Sequence, residues 1–225
     1  MKPLSNNVYI NHGIILLKRC GLFHLENHNP KFPSDIASKC RKKDYHEVWK
    51  LLLEESYFCI KLKDYSFFIF YAKSDTNFSL SYYGCPYKFM PIEDYIVEAV
   101  GENNFDPSLI YTFQEEYEQA LNECKLIKHP VTFRYDYSPE LYHPGSHPAS
   151  HIHIGFDNNI RICCKNILNP LSFIAFAVRQ QYTDLWKNIA VKKEFKLFDY
   201  AIRNKISDVP NSYFEEQDNL EMHLI

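Results

Sequence analysis

Residues 57–84 constrain the fold more than any other part of the chain. "YFCIKL", "SFFIFYAK" and "FSLSYYG" are β-branched or aromatic runs, separated by "KDY" and "SDTN". Runs of this kind, bounded by short polar turn sequences, read as strands, so the segment is expected to be a three-strand antiparallel meander. With 17 Tyr and 17 Phe in 225 residues, rings are expected to build much of the core.

Helical signals flank this meander. Residues 5–20 are expected to form a helix stopped at Gly21. The polar, proline-broken stretch 23–43 reads as loop with a short helical turn. Asp44, with Glu47 three residues on, opens a capping box, and Val48, Leu51 and Leu52 form the apolar stripe of the helix that follows. Residues 92–100 look helical. Asp106 and Pro107 then begin a longer helix with Ile110, Phe113, Tyr117, Leu121 and Cys124 at helical spacing.

"PVTFRYDY" and "HIHIGF" are strands, and "DNN" is the turn that leads to the hairpin partner "IRICC". Asn169-Pro170 starts a long helix through Trp186, a further helix covers 191–203, and an acidic tail is expected to fray. Meanders and hairpins without regular βαβ alternation indicate α+β, with a mostly antiparallel, aromatic-rich sheet flanked by helices. No linker divides the chain, so 1–225 is read as a single domain: a helical segment 1–56, a sheet-and-helix core 57–190, and a C-terminal helix and tail 191–225.

Several function classes are disfavoured. There are 6 Gly and no GxGxxG or GxxxxGK[ST] motif to cradle phosphates. A net charge of −3 gives no general field for nucleic acid, so any such contact is local. The seven cysteines (Cys20, Cys40, Cys59, Cys85, Cys124, Cys163 and Cys164) form no CxxC pair and read as buried reduced thiols. The N-terminal apolar run is only Ile14–Leu17, too short for a signal peptide or span, so a cytoplasmic protein without a membrane partner is expected.

Chemistry concentrates in "HPGSHPASHIHIG", which carries His143, His147, His151 and His153. Side chains alternate along a strand, so His151 and His153 share one face while Ile152, Ile154 and Phe156 share the other. The same rule puts Arg134 and Asp136 opposite Val131, Phe133, Tyr135 and Tyr137, and Arg161 and Cys163 opposite Ile160, Ile162 and Cys164. If these strands pair, Arg134, Asp136, His151, His153 and Arg161 converge. The structureless loop 138–150 then hangs His147 over the edge, with His143 too far along it to share the chemistry.

Three readings compete. His151, His153 and Asp136 form a two-His-one-carboxylate set for a single divalent metal such as Zn, Mn or Fe, with His147 as a fourth ligand. Alternatively, His151 and His153 are acid and base without a metal, and Arg134 and Arg161 stabilise charge on a phosphoryl group. The neighbouring cations favour this second version, because they repel a dication unless a phosphate lies between. The third is a solvated polar face with no chemistry. Elsewhere the bland interpretation wins: His12, His24, His28, His46, His129 and His223 are isolated, the tyrosines of "SYYGCPY" and "YDY" pack, and the run Lys39–Lys43 is a solvated helix start. Cys163 reads as structural.

The run "RYDYSP…HPASHIHIG…IRICC…NPLSFIAFAVRQQY" resembles the bacterial family catalogued as domain of unknown function 2290, over most of the chain. The resemblance implies a bacterial cytoplasmic protein and no particular activity, in phage-defence or toxin-like gene neighbourhoods. The Arg-Tyr-Asp strand with its histidine cluster also looks like certain small toxin families. The expectation is a histidine-dependent hydrolase acting on a phosphodiester in RNA or a nucleotide, an effector of a defence or toxin system. His151 and His153 are its acid and base, Arg134 stabilises charge, Asp136 orients a histidine or binds metal, and His147 comes from the loop. The alternative is a non-catalytic interaction subunit of such a system, partnered by a protein from a neighbouring gene.

Overall fold

The aromatic runs pair as a meander, and the later strands extend it. The computed structural model describes residues 2–3, 8–88, 91–124, 130–157, 160–192, 195–204, 206–220 and 223–224. Its strands are β1 (Lys2–Pro3), β2 (Phe23–Glu26), β3 (Ile60–Leu62), β4 (Phe67–Ser74), β5 (Asn77–Tyr83), β6 (Thr132–Tyr137), β7 (Ser150–Ile154), β8 (Ile160–Cys164), β9 (Asn166–Ile167), β10 (Ser207–Asp208) and β11 (His223–Leu224). The main sheet runs β11-β8-β7-β6-β5-β4-β3-β2, with β1 beside β4, while β9 and β10 pair separately. Among the described pairings only β11 with β8 is parallel. The expected turn residues Asn158 and Asn159, residues 5–7 of the first helix, and residues 125–129 with His129 lie outside the described residues.

The helices are α1 (Val8–Arg19), α2 (Ile36–Cys40), α3 (Tyr45–Glu54), α4 (Ile92–Val100), α5 (Leu109–Glu123), α6 (Pro170–Gln181), α7 (Thr183–Ala190) and α8 (Phe195–Asn204). Together with the sheet they form one α+β domain. None of the described helices is long and apolar enough to cross a membrane. Two starts follow the sequence closely: α3 opens on the Asp44–Glu47 capping box, and α6 on Asn169, whose side chain accepts from the Ser172 amide ahead of Pro170.

Strand alternation decides which side chains reach the core. Phe68, Phe70, Leu80, Tyr82, Phe133, Tyr135, Tyr137 and Ile152 face α1 and α6, where they are buried with Leu16, Leu17, Phe173 and Ile174. Gly13 lets α1 approach α6 closely, since a Cβ there would run into the Ile174 Cδ1. The opposite face is divided. Near β3 and β4 it packs under α3 through Val48, Trp49, Leu52, Phe58 and Phe67. Beyond β5 it becomes polar.

Four expectations are corrected. The stretch 23–43 contributes strand β2 as well as α2; Phe23 joins the α1–α6 core and Leu25 the α3 cluster on the opposite face, with a register shift between them that breaks the period-two pattern. The long helix breaks at Tyr182 (φ −120°, ψ 52°), whose hydroxyl is anchored on Asp64 Oδ2 at 2.5 Å and lies 3.1 Å from the Tyr82 hydroxyl. This anchorage draws Tyr182 off the helical path and separates α6 from α7. Phe156 does not follow Ile152: β7 ends at Ile154, Gly155 turns at φ +88°, and the Phe156 ring meets Tyr45 on the α3 side. Finally, the acidic tail is docked, with β10 against β9, β11 against β8, and Asp218 buried.

Candidate functional site

The register of β5 to β8 writes two rows across the polar face. One is Ser79, Asp136, His151 and Cys163; the other is Ser81, Arg134, His153 and Arg161. Members of neighbouring rows are two residues apart along each strand, so both rows point to the same side. The period-two pattern of "RYD", "HIH" and "RIC" is therefore what assembles the site.

Asp136 is its centre. Its Oδ2 accepts from Arg134 Nε at 2.9 Å and lies 3.3 Å from His153 Nε2 and 3.8 Å from His151 Nε2. His151 Nδ1 is 2.8 Å from the Pro148 carbonyl oxygen. A carbonyl can only accept, so Nδ1 carries the proton and Nε2 presents a lone pair in the neutral ring. His151 and His153 are edge to face with centroids 4.8 Å apart, and His147 stands edge-on to His151 at 5.1 Å. The buried Nδ1 atoms of His147 and His153 have no hydrogen-bond partner.

The two strand imidazoles are 2% exposed, whereas the side chains of Asp136 and Arg134 keep 21% and 40%. The site thus opens toward solvent at its carboxylate–guanidinium end. The loop 138–149 borders it, and that loop is structured, contrary to expectation. A 3₁₀ turn (Pro139–Leu141) leads into a small hairpin in which His143 and His147 bridge across Gly145 at φ +65°. Asp218 clamps the hairpin, accepting from the Tyr142 hydroxyl at 2.5 Å and from the Gly145 amide at 3.3 Å. The clamp arises far along the chain, where local sequence gives no sign of it.

Burial sets the protonation states. It pushes the Asp136 carboxyl up, but the His153 hydrogen bond, the Arg134 charge, the Ser79 hydroxyl and His151 outweigh it and bring the group to about 2. Asp136 is ionised at neutral pH. Burial lowers His151 to about 4 against the opposing pull of Asp136, with His153 and Arg161 adding to the lowering. His147 is lowered chiefly by burial and by Arg161. At pH 7, His151 is therefore a neutral lone-pair donor, unsuited to giving up a proton.

Asp136, His151 and His153 each offer one donor atom to a common centre, all within 4.8 Å of one another. Arg134 joins them through Asp136, and Arg161 stands at the exposed rim. His147 lies at the edge through His151, and His143 is exposed and apart. Arg179 and Gln180 are exposed on α6. Four supporting residues are missed by sequence reasoning, Ser79, Pro148, Tyr142 and Asp218, although Pro148 lies inside the histidine motif. Only Ser79 leaves a trace, since "SLS" in β5 continues the alternation that defines the polar face.

A family model described as Uncharacterized conserved protein (DUF2290) matches residues 26–224. No curated protein and no solved structure matches the chain.

Proposed function

Because the chain belongs to the DUF2290 family of uncharacterized conserved proteins, whose description assigns no activity, we propose its function from its own residues: a histidine-dependent hydrolase that cleaves phosphodiester bonds in RNA or in a nucleotide. The observation that carries this is the meeting of an ionised carboxylate and two imidazole donors with Arg134 and Arg161 on one open-sided face. Asp136, His151 and His153 activate a water. Its oxygen bonds to phosphorus, the P–O bond to the leaving oxygen breaks, and the water's proton leaves by way of the cluster to that oxygen. The arginines hold the phosphoryl oxygens, where fixed cations stabilise the charge that develops. The setting we propose is a bacterial defence or toxin–antitoxin system, acting in the cytoplasm.

The test is hydrolysis of single-stranded RNA and of a chromogenic phosphodiester by the purified chain. His153→Ala and Asp136→Asn are expected to lower the rate by roughly 100-fold or more, in the range for loss of a reacting group. Arg134→Ala is expected to act mainly on the transition-state charge, costing about 100-fold or more in kcat. The burial of both imidazoles favours a second reading, a non-catalytic interaction subunit in which they only brace the sheet. Folded variants that cleave as fast as the unaltered chain, or no cleavage of either substrate, give that reading the lead.

A further inference from the structure

We propose that Asp136, His151 and His153 form a mononuclear zinc site with an open coordination position. The inference deepens the hydrolase reading and rests on the same cluster, but its test does not depend on turnover.

The central argument is a pair of facing acceptors. With its proton held on Nδ1 by the Pro148 carbonyl, His151 directs the bare Nε2 lone pair at the Asp136 carboxylate, 3.8 Å away. Two electron-rich atoms this close repel, and a dication bound to both relieves the repulsion. The Pro148 contact is also what a metal-bound imidazole uses at its far nitrogen, where a carbonyl fixes the tautomer and raises donor strength.

His153 supplies the third donor. Its Nε2 is 3.3 Å from the same carboxylate oxygen, so three groups bring a donor atom to one place.

The donor set selects the metal. Two imidazoles and one carboxylate are a zinc donor set that leaves the fourth position for water. Arg134 leaves room for the ion: its Nε takes one lone pair of Oδ2, and the carboxylate has others to spare.

Zn²⁺ titrated into the metal-stripped full-length chain, followed by calorimetry, is expected to bind at one equivalent. Asp136→Asn and His153→Ala are expected to weaken it by more than about 100-fold, beyond the loss typical of an outer-sphere partner. His143→Ala is expected to bind as the unaltered chain does. Co²⁺ in the unaltered chain needs no variant and is expected to give the strong visible absorption of a tetrahedral ion. No stoichiometric zinc, equal affinity in a folded Asp136→Asn chain, or a weak octahedral cobalt spectrum each overturns the proposal. Zinc binding without hydrolysis sinks the hydrolase reading and leaves this one; hydrolysis without stoichiometric zinc binding does the reverse.

Discussion

At the scale of single residues, the site depends on what one carboxylate oxygen does to two rings. In the metal-free chain, His151 stays neutral down to about 4, while the unfolded chain takes up that proton near the ordinary 6.5. Between these values the unfolded state binds more protons, so stability is whole above the upper one and falls as pH drops toward the lower. The loss is roughly 3 kcal/mol over that window, since a tenfold difference in proton affinity between folded and unfolded chain is worth about 1.4 kcal/mol. Asp136, depressed to about 2, adds a further loss only below its ordinary 3.8. Urea unfolding with chelator present, followed from pH 7 downward, is expected to show the first decline, and His151→Gln is expected to flatten it. A stability that does not change between pH 6.5 and 4 would mean that His151 is solvated. The pairing of His151 with His153 on one face was legible because strand alternation needs no tertiary information. The proton's position was not, because Pro148 determines it through loop geometry.

At the scale of elements, the histidine loop and the C-terminal segment hold each other. Asp218 is buried and is reached by the Tyr142 hydroxyl and the Gly145 amide, while the Tyr142 and Tyr213 rings meet edge to face at 6.0 Å. Tyr142→Phe keeps the ring and removes the hydroxyl's hydrogen bond to a charged acceptor, worth about 1.5–3 kcal/mol, together with the bond it accepts from the Glu215 amide. The loss is local. Amide exchange across 139–149 is expected to quicken by about tenfold or more, with a much smaller change in the slowest core amides of β6 and β7. Equal quickening in both places would mean that the loop opens only when the whole sheet does. By sequence this loop is structureless and this tail frayed for the same reason: each looks polar and aperiodic alone, and contacts with distant segments, including each other, order them. Strand β2 is hidden for a related cause, four residues with a register shift in place of clean alternation that become a strand only because β3 lies beside them. The meander, α3 and the start of α6, by contrast, carry their signals locally, in alternation, a capping box and an Asn-Pro cap.

At the scale of the whole molecule, the sheet separates two tasks. One face is given to the large core under α1 and α6, and the other is shared between the α3 cluster and the polar site, so the chemistry sits on a rigid floor. Nothing global steers an anion there, because the net charge is −3. Attraction for RNA must come from the site's own rim, where Arg134 and Arg161 are the cations beside the cluster. Two phosphate contacts on a single strand give a slope of log affinity against log salt of about −1.4. Raising salt from about 50 to 200 mM should therefore weaken RNA binding by only about sevenfold. Binding to an inactive Asp136→Asn chain, measured by fluorescence anisotropy, tests this without cleavage. Arg161→Ala is expected to bring the slope to about −0.7, as one contact is lost. A slope steeper than about −3 would require cations beyond the site. The run Lys39–Lys43 at the end of α2 would then be the place to look, and RNA would be gripped mainly away from the carboxylate.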